Sequence, residues 1–250
     1  MKRPKKLKAF ATEADLCAAF IASLPPGWTA YAETAGWDIL LVRRGDGFQI
    51  GIQAKLRLNA HVLSQAIEEY GPYSAELAGP DCRAVLVPGG EAGGFHTIAQ
   101  YIGITIIPML PRLRDRYHTT RLPGEPHASE GDWHEWLPHR RHKLPEYVPD
   151  VPAGASAPVQ LTRWKIGAIK IMITLERRGY VTRQDFKHIG IDHRRWLTSG
   201  LGWLMIQNGR YVATTLMPSL RKTHPRVYAE IERDIDKWML SSLPPSPVLL

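Results

Sequence analysis

Two apolar runs separated by a short polar turn constrain this chain more than any other feature. Ile39 to Val42 is unbroken and apolar, Phe48, Ile50 and Ile52 alternate with small or polar residues, and Arg44-Gly45-Asp46-Gly47 between them is turn chemistry. Together they predict a β-hairpin. Side chains in a strand alternate faces, so Gln53 and Lys55 are expected on one side, Ala54 on the other, and Asp38, at the head of the first strand, converging with Gln53 and Lys55.

The flanking segments extend this hairpin into a layered domain. Thr12 is placed to cap a helix whose apolar positions Leu16, Phe20, Ile21 and Leu24 repeat at helical spacing until Pro25-Pro26 stops it. Glu13 shares that inward stripe, whereas Asp15 points elsewhere. Trp28 to Thr34 reads as a strand, Cys82 to Pro88 as a buried strand, 93–102 as a short helix and Gly103 to Pro108 as another strand. The last three form a βαβ unit. With a helix near 59–78, the expectation is an α/β sandwich on a mixed sheet.

An acid, then an amide two residues before a lysine, joined by a hairpin, resembles the core of the PD-(D/E)xK nuclease superfamily. The Gln-x-Lys variant is most similar to the Mrr-type restriction branch and to Holliday-junction-resolvase-like cores, and the resemblance covers about residues 11 to 110. It implies that Asp38, Gln53 and the carbonyl of Ala54 hold a divalent cation, Mg²⁺ or Mn²⁺, with Glu13 as a further acidic ligand on the N-terminal helix. It implies that Lys55 assists the attacking water, so that Glu13, Asp38, Gln53 and Lys55 form the catalytic set. Those residue types suit the chemistry: Mg²⁺ takes hard oxygen ligands and keeps several waters, which it makes usable as nucleophiles. An ammonium beside them can offset charge developing on phosphate.

Gln53 is the departure, because a neutral amide leaves the site one negative charge short. Either activity survives in this variant, or the chain is a non-catalytic DNA-binding or regulatory protein on a degenerate core. Glu13 has an alternative role as a first-turn charge complementing the helix dipole, and Glu33 is a competing acid. Gln65 and Tyr70 resemble the Gln-x-x-x-Tyr element of RecB-like nucleases, at a spacing one residue too long to share a helix face. Tyr70 then reads as packing and Gln65 as a candidate DNA contact.

Charge separates the two ends of the chain. Residues 1–159 hold 17 Lys+Arg and 17 Asp+Glu, residues 160–250 hold 15 and 7, so the formal charge of +8 lies wholly in the last third. That imbalance points to a polyanion, and nucleic acid is the economical choice. Residues 162–178 predict a mostly buried helix ending at Gly179, Thr182 caps a short helix to 188, and Asp192 caps a third carrying His193, Arg194 and Arg195. Asn208-Gly209 between 201–207 and 210–215 is a strong hairpin signal. Three helices and a hairpin resemble a winged helix in architecture. His193, Arg194 and Arg195 would face the DNA groove, Arg183 and Lys187 the phosphates, and Arg210 the wing tip. The alternative is a helical module for protein contacts with a solvated charge run. A last helix, about 225–240, carries the stripe Val227, Ile231, Ile235 and Trp238, which can close the domain or a homodimer.

The expected domains are therefore 1–115, nuclease-like; 116–160, a Pro/His-rich linker or arm; 161–242, winged-helix-like and basic; and 243–250, a tail. The arm holds His118, His127, His134, His139 and His142, whose spacings match no structural-zinc pattern, and Trp133, Trp136, Arg140 and Arg141, which can pack on either domain or touch nucleic acid. Lys2, Arg3, Lys5, Lys6 and Lys8 are a candidate phosphate-binding arm or a solubilising terminus. Cys17 and Cys82 lack neighbours at metal-ligand spacing and are expected as buried small hydrophobes in a reducing, cytoplasmic setting. No secretory or membrane-spanning stretch is evident.

Overall fold

A computed structural model describes residues 10–67, 78–90, 94–110, 121–125, 131–155, 160–197 and 201–240. The N-terminal lysine and arginine cluster, Tyr70, His118, His127 and the tail from 243 lie outside these residues. The described residues divide into two compact units, one within Met1–Leu144 and Val151–Gln160, the other within Pro145–Asp150 and Leu161–Leu250.

The first unit is a five-stranded mixed sheet in the order β1-β2-β3-β4-β5. Its strands are β1 (Trp28–Thr34), β2 (Trp37–Arg43), β3 (Gln49–Ala54), β4 (Cys82–Pro88) and β5 (Ile104–Met109). β1, β2 and β3 are antiparallel neighbours, as the short turns between them demand, and β3, β4 and β5 are parallel. The parallel crossovers run through α2 (Ala60–Ile67) and α3 (Phe95–Tyr101), both on one face. There Val62, Leu63, Ala66 and Ala99 pack on Leu40, Val42, Val85, Val87 and Ile104. The opposite face takes α1 (Glu13–Ala22), whose Leu16, Cys17 and Phe20 cover Ile39, Leu41, Ile50, Ile52, Ala54 and Leu86. Thr12 starts α1 with a reciprocal cap: its Oγ1 accepts from the Asp15 N–H at 3.1 Å and the Asp15 carboxylate accepts from the Thr12 N–H at 3.0 Å.

The stretch expected as a linker is instead shared between the units. Residues 131–142 run as a strap over the first unit, where the Trp136 N–H reaches the Asp81 carbonyl at 2.8 Å and the Gly79 N–H reaches that of Arg140 at 3.0 Å. Gln49 exchanges two hydrogen bonds with the His142 backbone, 2.8 and 2.9 Å, and the Trp37 indole donates to His142 Nε2 at 3.2 Å. Residues 145–150 belong to the second unit, where Asp150 accepts from buried His224 (Nδ1, 3.0 Å) and from the N–H groups of Arg226 and Val227. No period marks such a segment in sequence because its backbone is satisfied by distant partners.

The second unit carries α4 (Arg163–Arg178), α5 (Arg183–Ile189), a 3-10 turn over His193–Trp196, the hairpin β6 (Leu204–Gln207) and β7 (Arg210–Ala213), α6 (Leu220–Thr223), α7 (Pro225–Arg233) and α8 (Ile235–Trp238). α4 ends where expected, at Gly179 with φ 78°, a left-handed position that glycine tolerates. α5 begins on a Thr182–Asp185 capping box as expected. The third helix forms where expected, capped by Asp192, but as a four-residue 3-10 turn whose Trp196 is wholly buried. The final helix is interrupted at Asp234, giving α7 and α8 in place of one span of 225–240. Val181 bridges Tyr211, so β7 has strand contact on both sides. No helix among the described residues is long and apolar enough to cross a membrane.

Candidate active site

The site lies where β2 and β3 part. Their register runs from Val42–Gln49 to Ile39–Ile52 and stops, so Asp38 and Gln53 are the first residues past the ladder. Face alternation also breaks there: Trp37 packs in the core on the α2 side and Ile39 in the core on the α1 side. Between them the Asp38 carboxylate turns into the gap and accepts from the Ala54 N–H at 2.7 Å. The Lys55 N–H bonds Leu86 of β4, so the N–H and C=O of Ala54 both face β2, and its carbonyl opens on the side where Asp38 sits.

Lys55 leaves the sheet toward α1. Its Nζ lies 2.9 Å from Glu13 Oε2, each side chain about a third exposed. Glu13, at the first position of α1, is thereby beside the strand end, and Asp38 feels both partners: Lys55 favours its ionised form and Glu13 opposes it. Burial is the larger influence and holds the Asp38 carboxyl above the ordinary aspartate range. Glu33 belongs to the same cluster, its carboxyl raised by burial and then by Asp38. It accepts from the Gly154 N–H at 2.7 Å. Buried Cys17 reports the same crowding, since Asp38, Glu33 and Glu13 all add to the burial that pushes its thiol up.

Glu33 reaches this position through strained backbone. Its φ is +49° and that of Ala35 is +55°, values non-glycine residues adopt at a cost of about 1–3 kcal/mol each. Thr34 pairs Trp37 across the two-residue turn Ala35-Gly36, and the kink at Glu33 re-aims its carboxylate. Sequence reasoning held Glu33 and Glu13 as competitors, whereas both join the cluster. An Ala-Gly turn carries too little signal to predict a left-handed glutamate beside it.

Gln53 departs from the expected convergence. Alternation places Ile50, Ile52 and Ala54 on the α1 side, leaving Gln53 with Gly51 on the α2 side, and its Nε2 donates to the Gly36 carbonyl at 2.9 Å. It ties the β1–β2 turn to β3 rather than meeting Lys55. Ala54 is fully buried in the core under α1.

The donor set nevertheless suits a hard cation: buried or half-buried carboxylates in surplus over one ammonium, with a backbone carbonyl alongside. Among the described residues no group of three or more His, Cys, Asp and Glu side chains is arranged to hold a metal, so protein ligands there would be two acids supplemented by carbonyl or amide oxygen. The histidines of the strap are dispersed. His134 lies against Gly103 and Trp136, and His142 serves Trp37.

In the second unit, Arg183, Lys187, Arg194, Arg195 and Arg210 are exposed. Several are held by neighbours: Arg183 Nε bonds the Tyr211 hydroxyl at 3.2 Å, Arg194 pairs with Asp192, and Arg210 lies 4.1 Å over the Tyr180 ring. His193 stacks on Tyr211 at 5.5 Å, turned inward rather than out. In α2, the Gln65 side-chain oxygen is enclosed without a hydrogen-bond donor among the described residues, which does not suit a DNA contact. No protein-family model, curated protein or solved structure matches the chain.

Proposed function

We propose that the chain is a metal-dependent deoxyribonuclease with a PD-(D/E)xK-like core, and that its basic second unit is a winged-helix-like module that binds DNA. One observation carries the reading: an acid from α1, an acid from β2 and the lysine ending β3 gather at the split between β2 and β3, with Lys55 on Glu13 and Asp38 on the Ala54 backbone. The sheet order, three antiparallel strands continued by two parallel crossovers, supports it.

Asp38, Glu13 and the Ala54 carbonyl would hold Mg²⁺ or Mn²⁺, with Gln53 contributing if its amide exchanges its Gly36 partner. The cation would supply a water acidic enough to attack a phosphodiester. Glu13 fixes the Lys55 ammonium, which then stands ready to orient the nucleophile and offset charge on a phosphate. Burial of Asp38 lowers the local dielectric, which strengthens each of these interactions. Exposed Lys187, Arg194, Arg195 and Arg210 supply the polyanion contact, through phosphates rather than base edges. The test is nicking of supercoiled plasmid with Mg²⁺ or Mn²⁺: wild type cleaves, Lys55→Ala and Asp38→Ala do not, and equal cleavage by all three removes the assignment.

Gln53 favours a second reading, a DNA-binding or regulatory protein on a degenerate core, because its amide nitrogen is engaged away from the acids. That reading predicts steeply salt-dependent DNA binding with no metal requirement and no product.

A further inference from the structure

The β6–β7 hairpin leaves one side of β6 without a strand partner among the described residues. Asn208 and Gly209 have φ of 51° and 72°, the two-residue turn in which Gln207 and Arg210 face each other. The Thr214 N–H bonds the Trp203 carbonyl at 2.9 Å. Trp203, Met205 and Gln207 therefore direct their backbone groups at β7, and by alternation Leu204 and Ile206 direct theirs outward. Val181 occupies the far side of β7, so β6 is the open edge.

This edge is chemically unlike the rest of its unit. Trp196 to Gly209 is a run of 14 residues without a charged side chain, inside a segment holding 15 Lys+Arg and 7 Asp+Glu. Leu201, Met205, Ile206 and Leu216, 44–67% exposed, are four of the seven exposed large hydrophobics among the described residues. Edge strands are ordinarily blunted by lysine, proline or a bulge, and β6 has none of these.

We propose that β6 pairs antiparallel with β6 of a second copy of this chain, about a twofold axis at Met205. The register follows from the backbone: the outward groups of Leu204 meet those of Ile206 of the second copy and the reverse, four hydrogen bonds in all. Met205 faces its twin as a non-hydrogen-bonded pair, Cα atoms about 4.5 Å apart. A second copy is the occupant because the strand is self-complementary and uncharged. The uncharged run from Trp196 to Gly209 is where two copies of this basic unit can meet without setting like charges against each other. Three residues from each copy make a short seam, so association is reversible.

Light scattering on the full chain from low to high micromolar concentration tests this. The wild-type mass rises from the monomer's 28.2 kDa toward twice that value, whereas Met205→Lys, which sets two ammonium groups face to face, stays monomeric with an unchanged melting midpoint. Ile206→Pro, which removes an outward N–H and spares the β7 ladder, also stays monomeric. Met205→Cys yields a disulfide-linked dimer under mild oxidation, since that Cα spacing falls within the disulfide range of about 4.4–6.8 Å; Thr215→Cys, off the edge, does not. A monomeric wild type at every concentration, a dimeric Met205→Lys, no faster crosslinking of Met205→Cys than of Thr215→Cys, or a dimer lost on deleting residues 241–250 would each overturn the proposal.

Discussion

Lys55 Nζ and Glu13 Oε2 lie 2.9 Å apart although 42 residues separate them along the chain. The pair joins the first turn of α1 to the end of β3, and each side chain is about a third exposed. An ion pair this exposed contributes at most about 1 kcal/mol to stability, so its value to the fold is small.

Function and stability should therefore part at this pair. Lys55→Ala is expected to lower nicking by about 10²–10³-fold, the usual loss when one group stabilising developing charge is removed. Its melting midpoint should stay within a few degrees of wild type. Plasmid nicking beside differential scanning calorimetry on the same preparations measures both. Parallel losses in the two would make Lys55 a structural residue.

Asp38 separates in another way. Asp38→Ala leaves the buried Ala54 N–H without an acceptor, a cost of about 1–3 kcal/mol. Asp38→Asn keeps an oxygen for that N–H but carries no charge, so it should melt close to wild type and bind Mn²⁺ far more weakly. Isothermal titration with Mn²⁺, paired with urea unfolding, gives the two readings. Mn²⁺ bound by Asp38→Asn as tightly as by wild type would remove Asp38 from the ligand set.

Gly51 is where the α2 side of the sheet admits Trp37. A Cβ built on it would sit 2.4 Å from Trp37 Cδ2, and the ring is not free to yield: its N–H bonds His142 and the Arg83 guanidinium lies 5.6 Å from the ring centre. Gly51→Ala should cost about 1–3 kcal/mol by overpacking. Because Trp37 adjoins Asp38, it should also lower nicking more than its stability loss explains. Near-UV circular dichroism of the Trp37 environment, followed with activity below the melting transition, checks this.

Much of this fold was legible in local pattern. Thr12, the run at 39–42, the alternation at 48–52, Gly179, Thr182 and Asn208-Gly209 each set an element where it is found, because caps, turns and alternation are decided by near neighbours. The strap over 131–142 was not, since Trp136, Arg140 and His142 bond Asp81, Gly79 and Gln49, and nothing local announces such pairings. Lys55, Glu13 and Asp38 were legible as a set because each closes or opens an element. Gln53 misled for a related reason: counting two residues from Lys55 assumes that alternation continues, and β3 ends at Ala54. The third helix of the second unit was legible in its Asp192 cap but not in its type, because burying Trp196 turns the chain within four residues as a 3-10 turn.

The two cysteines give a pH dependence with a definite sign. Burial pushes the Cys82 thiol up to about 12, with Glu135 and Asp81 adding to the effect and Arg43 opposing it, and Cys17 is raised further by burial and the acids of the site. Both thiols are thus neutral in the folded protein where the unfolded chain, with thiol pKa values near about 8.5, would ionise. A folded pKa above the unfolded one contributes stability that is complete below the unfolded value and lost as pH rises toward the folded value. Each thiol should then remove about 1.4 kcal/mol of stability per pH unit over that window. Tyr31, Tyr147 and Tyr228 are raised as well and act in the same direction, beginning higher, where tyrosine itself ionises. Urea midpoints taken from neutral pH upward should be flat to about pH 8 and then fall, with a shallower first decline in Cys82→Ala, and iodoacetamide should label neither thiol in the native protein at about pH 8 while labelling both in urea. Ready labelling of Cys82 in the native state would mean that β4 is open to solvent, and the core built on it would have to be redrawn.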